Sequence, residues 1–456
     1  MTRPGPALVD DLGRALAAVA GAFPVPAAHR RDLPLAVRDL SRLLTMERAE
    51  MNRSYWSAPR FLAAYLHYFL PWNLYRMAWL LPGLDLALRP GSRILDLGSG
   101  PLTLPLALWC ARPDLRGVPL FFSCADVASK PMDVGREILR RLAGSDSPWR
   151  IVLRRVPLEK ALAVSAASGV RENFDCIMAG NMLNELSVSR NASLEQRLEQ
   201  LAELAAGRLA PDGRLLLVEP GTRLGGKLIA LLRKGGLAHG FSPLAPCTHD
   251  GPCPMLEQSP RSGPFSPYTG WCHFFHPAGS VPKSLAELAS RARLEKESLA
   301  LSCLLLKKSG PEAESAGNPP AENAAAAGIP RVSRRRSGVS DDLEELEALY
   351  AEIMAQDADG AHPKTVASGR VASRPTHPAG QTGASSRLDA RVISDLIRLP
   401  EEAEPARYAC CERGLALLLD APRVPSGAFV SVPAPAREER DAKTGALLLR
   451  RSGQKK

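Results

Sequence analysis

Three cysteines within one short stretch are the residues of this chain best suited to metal or redox chemistry. Five residues separate Cys247 from Cys253, and eighteen separate Cys253 from Cys272. Prolines and glycines surround all three, which predicts loops rather than helices or strands. Because buried structural cysteines normally lie on regular elements, clustered loop cysteines indicate a disulfide framework, a reactive thiol or a metal site.

The cysteine content of the whole chain favours the metal site. Nine of the 456 residues are cysteine, and an odd number in a long chain argues against a fully paired secreted framework. The apolar stretch 15–23 follows Asp10 and Asp11, where a signal peptide would carry positive charge, and no run approaches the length of a membrane span. We therefore expect a soluble cytoplasmic protein without membrane contact.

The net charge narrows the class of partner only slightly. The chain carries a formal charge of +10 and has a pI of about 9.3. That balance suits a phosphate-rich partner such as RNA. A soluble enzyme with a mildly basic surface explains the charge equally well.

A glycine turn forms a second candidate site. The run Leu95–Pro101 is a short apolar strand that enters a turn, where Gly98 and Gly100 let the backbone approach a ligand closely. The third glycine of a dinucleotide-binding motif is absent. The pattern instead resembles motif I of class I methyltransferases, which bind S-adenosylmethionine (SAM), although an α/β fold that binds another nucleotide or none is the alternative.

This resemblance assigns cofactor-binding roles. Asp126 ends the second predicted strand and would accept hydrogen bonds from the ribose hydroxyls, although it lies 26 residues after Gly100 rather than the expected 20 or so. The residues that would contact the methionine part of SAM are Asp96, Gly98, Ser99 and Gly100.

Asn181 is the candidate catalytic residue. It follows the fourth predicted strand, and ligands bind at the carboxyl ends of parallel strands, so it would face the cofactor. There it could orient a methyl acceptor or cap the following helix. The chain has no Asn-Pro-Pro-Tyr or Asp-Pro-Pro-Tyr motif for amino-group methylation. Cys176 lies too early on the strand to be a nucleophile, so the sequence leaves methyl transfer itself open.

The pattern of elements predicts an α/β fold with a parallel, doubly wound sheet. We expect an N-terminal helical region at 1–88 and a SAM-methyltransferase-like domain at 89–310, with a cysteine-rich metal-binding insertion at 240–280. A low-complexity segment at 311–386 predicts a disordered insertion. A small β-rich tail follows at 387–456.

Taken together, the motifs closely resemble the mitoribosomal small-subunit assembly methyltransferase-like family and its bacterial relatives. The resemblance covers roughly residues 35–310 and resumes weakly after 388. The segments that carry it are Leu95–Pro101, Gly180–Leu186, Val218–Gly226, Pro246–Pro254 and Trp271–Phe275. It implies SAM binding, a partner in small-subunit ribosomal RNA, and a four-iron–four-sulfur (4Fe-4S) cluster held by four cysteines.

The resemblance also implies the ligands of the cluster. Three are Cys247, Cys253 and Cys272, and the fourth is Cys410 or Cys411, with Cys411 preferred. Thiolates select zinc or iron–sulfur clusters, and the spacings of five and eighteen fit structural zinc poorly. Zinc stays open as the alternative, completed by His249, His273 or His276. The cysteines expected to be core residues are Cys110, Cys124, Cys176 and Cys303.

Three functions agree with these features. The first is a SAM-dependent enzyme that methylates small-subunit ribosomal RNA. The second is an iron–sulfur ribosome-assembly factor in which the fold is kept but catalysis is absent. The third is a small-molecule or protein methyltransferase, which would need neither a basic surface nor a cysteine in the tail. We expect the protein to be a monomer.

Overall fold

The computed structural model describes residues 6–45, 55–163, 173–183, 193–256, 271–279, 281–310 and 387–450, apart from 395, 400–403, 422, 442 and 443. The insertion predicted at 311–386 lies outside the described residues. Two sheets organise what is described: a large one after the N-terminal helices and a small one near the carboxyl terminus.

The large sheet has eight strands. They are β1 (Arg93–Leu97), β2 (Phe121–Asp126), β3 (Arg150–Arg155), β4 (Phe174–Gly180), β5 (Leu209–Pro220), β6 (Phe241–Ala245), β7 (Phe274–Pro277) and β8 (Ser298–Lys308). Their order is β3-β2-β1-β4-β5-β8-β6, and β7 also pairs with β8. Strands β1 to β5 run parallel, whereas β8 is antiparallel to β5, β6 and β7.

The strand order reverses at β1, because β2 and β3 lie on one side of it and β4 and β5 on the other. Ligands of doubly wound sheets bind at such a reversal, beyond the carboxyl ends of the strands. The arrangement confirms the predicted Rossmann-like fold of class I methyltransferases. It also fixes where a cofactor site must lie, at the carboxyl edge of β1, β2 and β4.

Helices cover the sheet on both faces. One face packs against α1 (Pro6–Ala22), α6 (Thr103–Ala111), α7 (Ser129–Ala143) and α11 (Lys283–Ala292). The other packs against α8 (Leu158–Leu162), α9 (Leu194–Arg208) and α10 (Arg223–Ala238). None of the helices in the described ranges is long and apolar enough to cross a membrane.

The N-terminal region is helical, as the sequence predicts. It adds α2 (Ala27–Arg30), α3 (Leu33–Thr45), α4 (Pro59–Ala64) and α5 (Leu70–Leu80). A π-helical segment, Tyr65–Phe69, joins α4 to α5. Pro71 then lies in the first turn of α5, where a missing N–H costs little.

The structure corrects one expectation about the cysteine-rich segment. The segment Trp271–Phe275 is not wholly loop, because β7 begins at Phe274 and pairs with β8. The side chains of Phe274 and His276 are both fully buried, and this alternation of buried residues is typical of a strand with one face against the core.

The small sheet has five strands: β9 (Arg387–Val392), β10 (Arg407–Cys411), β11 (Gly414–Leu419), β12 (Phe429–Pro433) and β13 (Leu447–Arg450). Their order is β12-β9-β10-β11-β13, with β13 parallel to β11 and the other pairs antiparallel. Strands β12 and β13 also lie near each other, so the sheet curls toward a barrel. This connectivity is that of the five-stranded, partly open OB barrel. The predicted β-rich tail is therefore a small barrel.

Candidate functional site

The glycine turn lies at the carboxyl end of β1. Gly98 and Gly100 both have positive φ values, of 61° and 48°. A Cβ atom on Gly98 would lie 2.4 Å from Cγ of Met182, so the turn and the loop after β4 touch there. Glycine is required at Gly98 for its dihedral angle and for this close approach.

Asp126 brings a carboxylate to the same turn. Its Oδ2 atom accepts a 2.9 Å hydrogen bond from the Gly100 N–H, and its Oδ1 atom accepts one of 2.8 Å from Ala128. Burial raises the pKa of Asp126, and these two hydrogen bonds lower it in part. The carboxyl group that ends β2 thus lies directly beside the glycine turn, as the methyltransferase resemblance implies.

Asp96 is buried beneath the turn. The Ser99 hydroxyl donates a 2.7 Å hydrogen bond to its Oδ2 atom. Burial raises the pKa of Asp96 to about 7, although the Ser99 hydrogen bond acts in the opposite direction. Only 1% of Asp96 is exposed, so it supports the turn from below.

Asn181 follows β4 at the same edge. It has a positive φ of 55°, and its N–H donates a 2.8 Å hydrogen bond to the Val218 carbonyl. Its side-chain Oδ1 atom is buried and has no hydrogen-bond partner in the described part of the chain. An unsatisfied buried acceptor is costly unless a ligand or water completes it.

Glu219 positions the loop that contains Asn181, and our sequence reasoning missed it. Its Oε1 atom accepts hydrogen bonds of 2.9 and 2.8 Å from the N–H groups of Met182 and Leu183. The available indication was a carboxylate at the end of an otherwise apolar strand; Glu219 is 1% exposed. Burial lowers the pKa of Arg76 on α5 to about 10, and the charge of Glu219 acts in the opposite direction.

The N-terminal region packs against the glycine turn. A Cβ atom on Gly100 would lie 3.7 Å from the ring of Trp56. Trp56 contacts Tyr65 with their ring centroids 4.6 Å apart. The aromatic residues before the sheet therefore serve as packing at the candidate cofactor site.

The cysteines meet at a second place, in a cavity between α10, the cysteine-rich segment and the small barrel. The four thiols that line it belong to Cys247, Cys253, Cys272 and Cys410. The empty space, including its opening, is about 460 Å³. Apart from Arg233 and Arg391, the remaining lining residues are apolar.

Cys410, not Cys411, faces this cavity. The two are neighbours on β10, so their side chains point to opposite faces of the strand. Cys411 is buried in the core of the barrel. The geometry thus runs against our sequence-based preference for Cys411, because adjacent residues in a sequence cannot reveal which strand face meets the partner surface.

Hydrogen bonds connect the barrel to the cysteine-rich segment around the cavity. The Thr248 hydroxyl donates to the Cys410 carbonyl at 3.4 Å, and Nε2 of His249 lies 3.3 Å from Cys410 Sγ. On the barrel, Arg391 donates to the carbonyls of Pro246 and Gly427, each at 2.9 Å. Residues separated by about 160 positions are thereby held in one site.

Buried arginines bring positive charge to the thiols. Arg233 is 2% and Arg391 1% exposed. Arg233 donates to the carbonyls of His249 and Gly251 at 2.7 and 2.8 Å. Burial raises the pKa of the Cys247 thiol, and the charge of Arg233 lowers it in part.

The thiols are also close enough to influence one another. Burial raises the pKa of Cys272 well above the usual value, and the charges of Cys247, Cys410 and Cys253 raise it further. Burial likewise raises the pKa of Cys253, to about 11. As free thiols these groups stay protonated, so they would become thiolates only with a compensating positive group.

Whether the side chains around the cavity could hold a metal depends on whether the metal is a single ion or a thiolate-bound group. In the described ranges, no set of three or more His, Cys, Asp or Glu side chains is arranged so that it could hold a metal ion. His276 stacks on Trp79 and His273 on Trp271, at ring-centroid distances of 5.0 and 4.5 Å, and neither lines the cavity. The metal-ligating side chains that line the cavity are cysteines, so the cavity suits a group bound by thiolates.

The four other cysteines are core residues, as predicted. Cys110, Cys124, Cys176 and Cys303 are each at most 1% exposed. They therefore contribute to packing.

One family model matches this chain over most of the large sheet. The model of the family described as mitochondrial small ribosomal subunit Rsm22 matches residues 87–336, more than half of the chain. No curated protein matches this chain.

Similar solved structures include a methyltransferase from Pyrococcus furiosus, at 15% identity and a TM-score of 0.29, covering 52% of this chain and 83% of that one. The N-methyltransferase NodS from Bradyrhizobium japonicum WM9 is 14% identical with a TM-score of 0.28, over 52% of this chain and 97% of its own. Precorrin-6y C5,15-methyltransferase from Geobacter metallireducens GS-15 is 11% identical with a TM-score of 0.28, over 52% and 88%. By the extent of the family match, this chain belongs to the Rsm22 family.

Proposed function

We propose that this protein binds SAM at the carboxyl edge of the large sheet and acts on the RNA of the small ribosomal subunit, in methylation, subunit assembly or both. The observation that carries the proposal is the contact between Asp126 and the glycine turn, where the Asp126 carboxylate accepts the Gly100 N–H. This contact supports the proposal, because Asp126 would then accept hydrogen bonds from the ribose hydroxyls while the glycine turn lies along the methionine part of SAM.

The residues at this edge have distinct roles in the proposal. Asp126 would exchange its bond to Gly100 for the ribose of SAM. The unpartnered Oδ1 atom of Asn181 would accept a hydrogen bond from the cofactor or orient the methyl acceptor. SAM, when bound, supplies an electrophilic methyl group. Glu219 would hold the Asn181 loop in place through its two backbone hydrogen bonds.

The ribosomal part of the proposal rests on family membership and on charge. The family is described as a protein of the mitochondrial small ribosomal subunit. The net charge of +10 suits a phosphate-rich partner.

The second candidate is an assembly factor without methyl transfer. It is favoured by the loop after β4, where the described side chains offer the amide of Asn181 and where Glu219 already accepts two backbone N–H groups. Neither group is positioned as a free general base, which methylation of a hydroxyl group would require.

We further propose that the cysteine cavity holds a 4Fe-4S cluster. Four thiols, apolar walls and two buried guanidinium groups are suited to a negatively charged, thiolate-bound cluster. A cluster spreads its ligands over several irons, so the thiols need not converge on one ion as zinc would require. Because Cys410 belongs to the barrel, the cluster would fasten the barrel to the large sheet.

Calorimetric titration tests the SAM site. It should show SAM binding to the wild-type protein and none to Gly98→Arg. The matched control is Gly117→Arg, which places the same side chain where a Cβ atom meets nothing within 4 Å. Equal SAM binding by wild type and Gly98→Arg would overturn the assignment of the cofactor site.

The cluster and the RNA partner are tested on the same anaerobic preparation. Iron analysis and absorption spectroscopy should reveal a protein-bound iron–sulfur chromophore, and stoichiometric zinc without iron would contradict the cluster. Crosslinking in cells should recover small-subunit ribosomal RNA. Recovery of other proteins or metabolites alone would favour a small-molecule or protein methyltransferase.

A further inference from the structure

One face of the large sheet is left open on its two outermost strands. Leu95 on β1 faces the side of the sheet that α8, α9 and α10 cover, and its side chain is fully buried. One strand further out, Phe121 on β2 is 48% exposed, and Val152 on the edge strand β3 is 60% exposed. Among the described residues, coverage of this face therefore reaches the carboxyl end of β2 but neither its amino-terminal end nor β3.

The length of α8 explains the opening. This helix has five residues, Leu158–Leu162, and its Ala161 joins the core beside Ala125, near the carboxyl end of β2. A helix that short cannot reach the other end of β2, where Phe121 lies, because an α-helix rises only about 1.5 Å per residue. We call the surface formed by the exposed residues Arg93, Phe121, Arg150 and Val152 and the half-buried Arg154 the open face.

The open face combines an aromatic ring with basic side chains at regular positions. Phe121 pairs in register with Arg93 on one side and with Arg150 on the other, so an exposed aromatic ring lies between two arginines. Val152 and Arg154 follow on the same side of β3, at every second residue. In the part of the chain that the structure describes, neither Arg150 nor Arg154 makes a side-chain ion pair or hydrogen bond.

Charged residues on an edge strand also have a simpler explanation, which is protection against edge-to-edge aggregation. That explanation needs charge alone, and it gives no reason for a half-exposed phenylalanine between the arginines. Asp175 lies beside the row, and its Oδ2 atom already accepts the Arg93 backbone N–H at 2.8 Å. The open face thus offers a ring together with the guanidinium groups of Arg150 and Arg154, which have no partner among the described residues.

We propose that the open face binds single-stranded RNA, with a base stacked on Phe121 and phosphates contacted by Arg150 and Arg154. Sheet surfaces that present aromatic rings stack unpaired bases, and arginines beside them neutralise the backbone. The choice of RNA rests on the proposed function, whereas the position of the surface rests on its geometry. It lies on the flank of β2 and β3, away from the Asn181 loop that follows β4, so it would anchor RNA outside the candidate cofactor site.

The test is RNA affinity as a function of salt, measured by fluorescence anisotropy with full-length protein and a labelled single strand of about twelve nucleotides. Phe121→Leu keeps the apolar character but removes the ring, and should weaken binding by about tenfold with an unchanged salt slope. The pair Arg150→Glu and Arg154→Glu keeps the edge charged against aggregation. It should flatten the plot of log affinity against log salt by about 1.4, which is two single-strand phosphate contacts.

The matched control is the pair Lys283→Glu and Arg291→Glu. It makes the same change in net charge on α11, which packs on the opposite face of the sheet. The control should lower affinity only slightly, through the general field. A control as damaging as the open-face pair would overturn the proposal.

The remaining outcomes separate this proposal from the proposed function. Wild-type protein that binds no RNA at low salt would overturn both. Tight wild-type binding that Phe121→Leu leaves unchanged would overturn only the open face. An acidic peptide with the sequence of residues 341–354 serves as a competitor; if it binds the open face and RNA does not, the surface recognises protein and the proposal is wrong.

Discussion

The glycine turn and the cysteine cavity are both assembled at the large sheet, but they differ in the distance along the chain between their parts. Asp96, Ser99 and Gly100 are neighbours in sequence, and Asp126 joins them through the next strand. The cavity instead combines Cys247 with Cys410 of a separate barrel. A site built from one turn depends on local backbone geometry, whereas a site built across two sheets depends on docking.

The two regions also differ in what is left unsatisfied. The carboxyl edge has a polar requirement, because Asn181 Oδ1 is buried and no described residue is its hydrogen-bond partner. The cavity has a charge requirement, because two buried arginines lie beside thiols that burial keeps protonated. A polar cofactor suits the first region, and an anionic thiolate-bound group suits the second.

The largest expected effect distinguishes Cys410 from Cys411, which lie on opposite faces of β10. Cys410→Ser should lose most of its iron and expose the barrel to limited proteolysis, because the cavity loses a thiol that also lies against His249. Cys411→Ser, altered inside the barrel core, should keep its iron. Iron analysis and proteolysis of both variants decide the point, and the opposite ranking would assign the ligand to Cys411.

The next effect concerns the brace behind Asn181. Glu219→Ala should lower the free energy of unfolding by about 2–4 kcal/mol, because it leaves the buried N–H groups of Met182 and Leu183 unpaired. Glu219→Gln keeps a carbonyl oxygen and should lose clearly less. Urea denaturation and SAM titration measure both variants, and equal losses would show that charge rather than hydrogen bonding matters.

A glycine on α7 tests how tightly that helix supports the turn. A Cβ atom on Gly135 would lie 2.3 Å from the backbone carbon of Pro101. Gly135→Ala should therefore lower stability by about 1–3 kcal/mol through overpacking and weaken SAM binding. In contrast, Gly207→Ala on α9 meets nothing within 4 Å and should raise stability by up to about 1 kcal/mol. Thermal unfolding compares the two, and a stabilised Gly135→Ala would contradict the close contact.

The last prediction is a pH dependence at Asp96, a change in stability with pH rather than a loss at one fixed pH. Its pKa of about 7 in the folded protein lies above the ordinary value of 3.8, so the unfolded chain loses this proton first as pH rises. Stability contributed by the protonated form is complete below pH 3.8 and is lost as pH rises to about 7. Asp96→Asn should gain stability relative to wild type across this interval. A constant difference, measured by urea denaturation at several pH values, would refute the shift.

Sequence reasoning worked best where function and secondary structure are encoded locally. The strand that enters Gly98, the acid at the end of β2 and the helices between strands were predictable, because apolar runs and glycine turns act through neighbouring residues. Glu219 was missed because its role depends on backbone N–H groups of another strand's loop. The open face was missed because exposure depends on where α8 ends relative to β2.

By itself, the sequence determined the doubly wound sheet, the glycine turn with Asp126, and the three clustered cysteines. Only the tertiary structure decided that Cys410 completes the cavity, that the tail is an OB-type barrel, and that Phe121 stays exposed between arginines. The physical reason is the range of the interactions. Turns and strands follow from the conformational preferences of adjacent residues, whereas strand faces, docking and exposure follow from which distant surface each side chain meets.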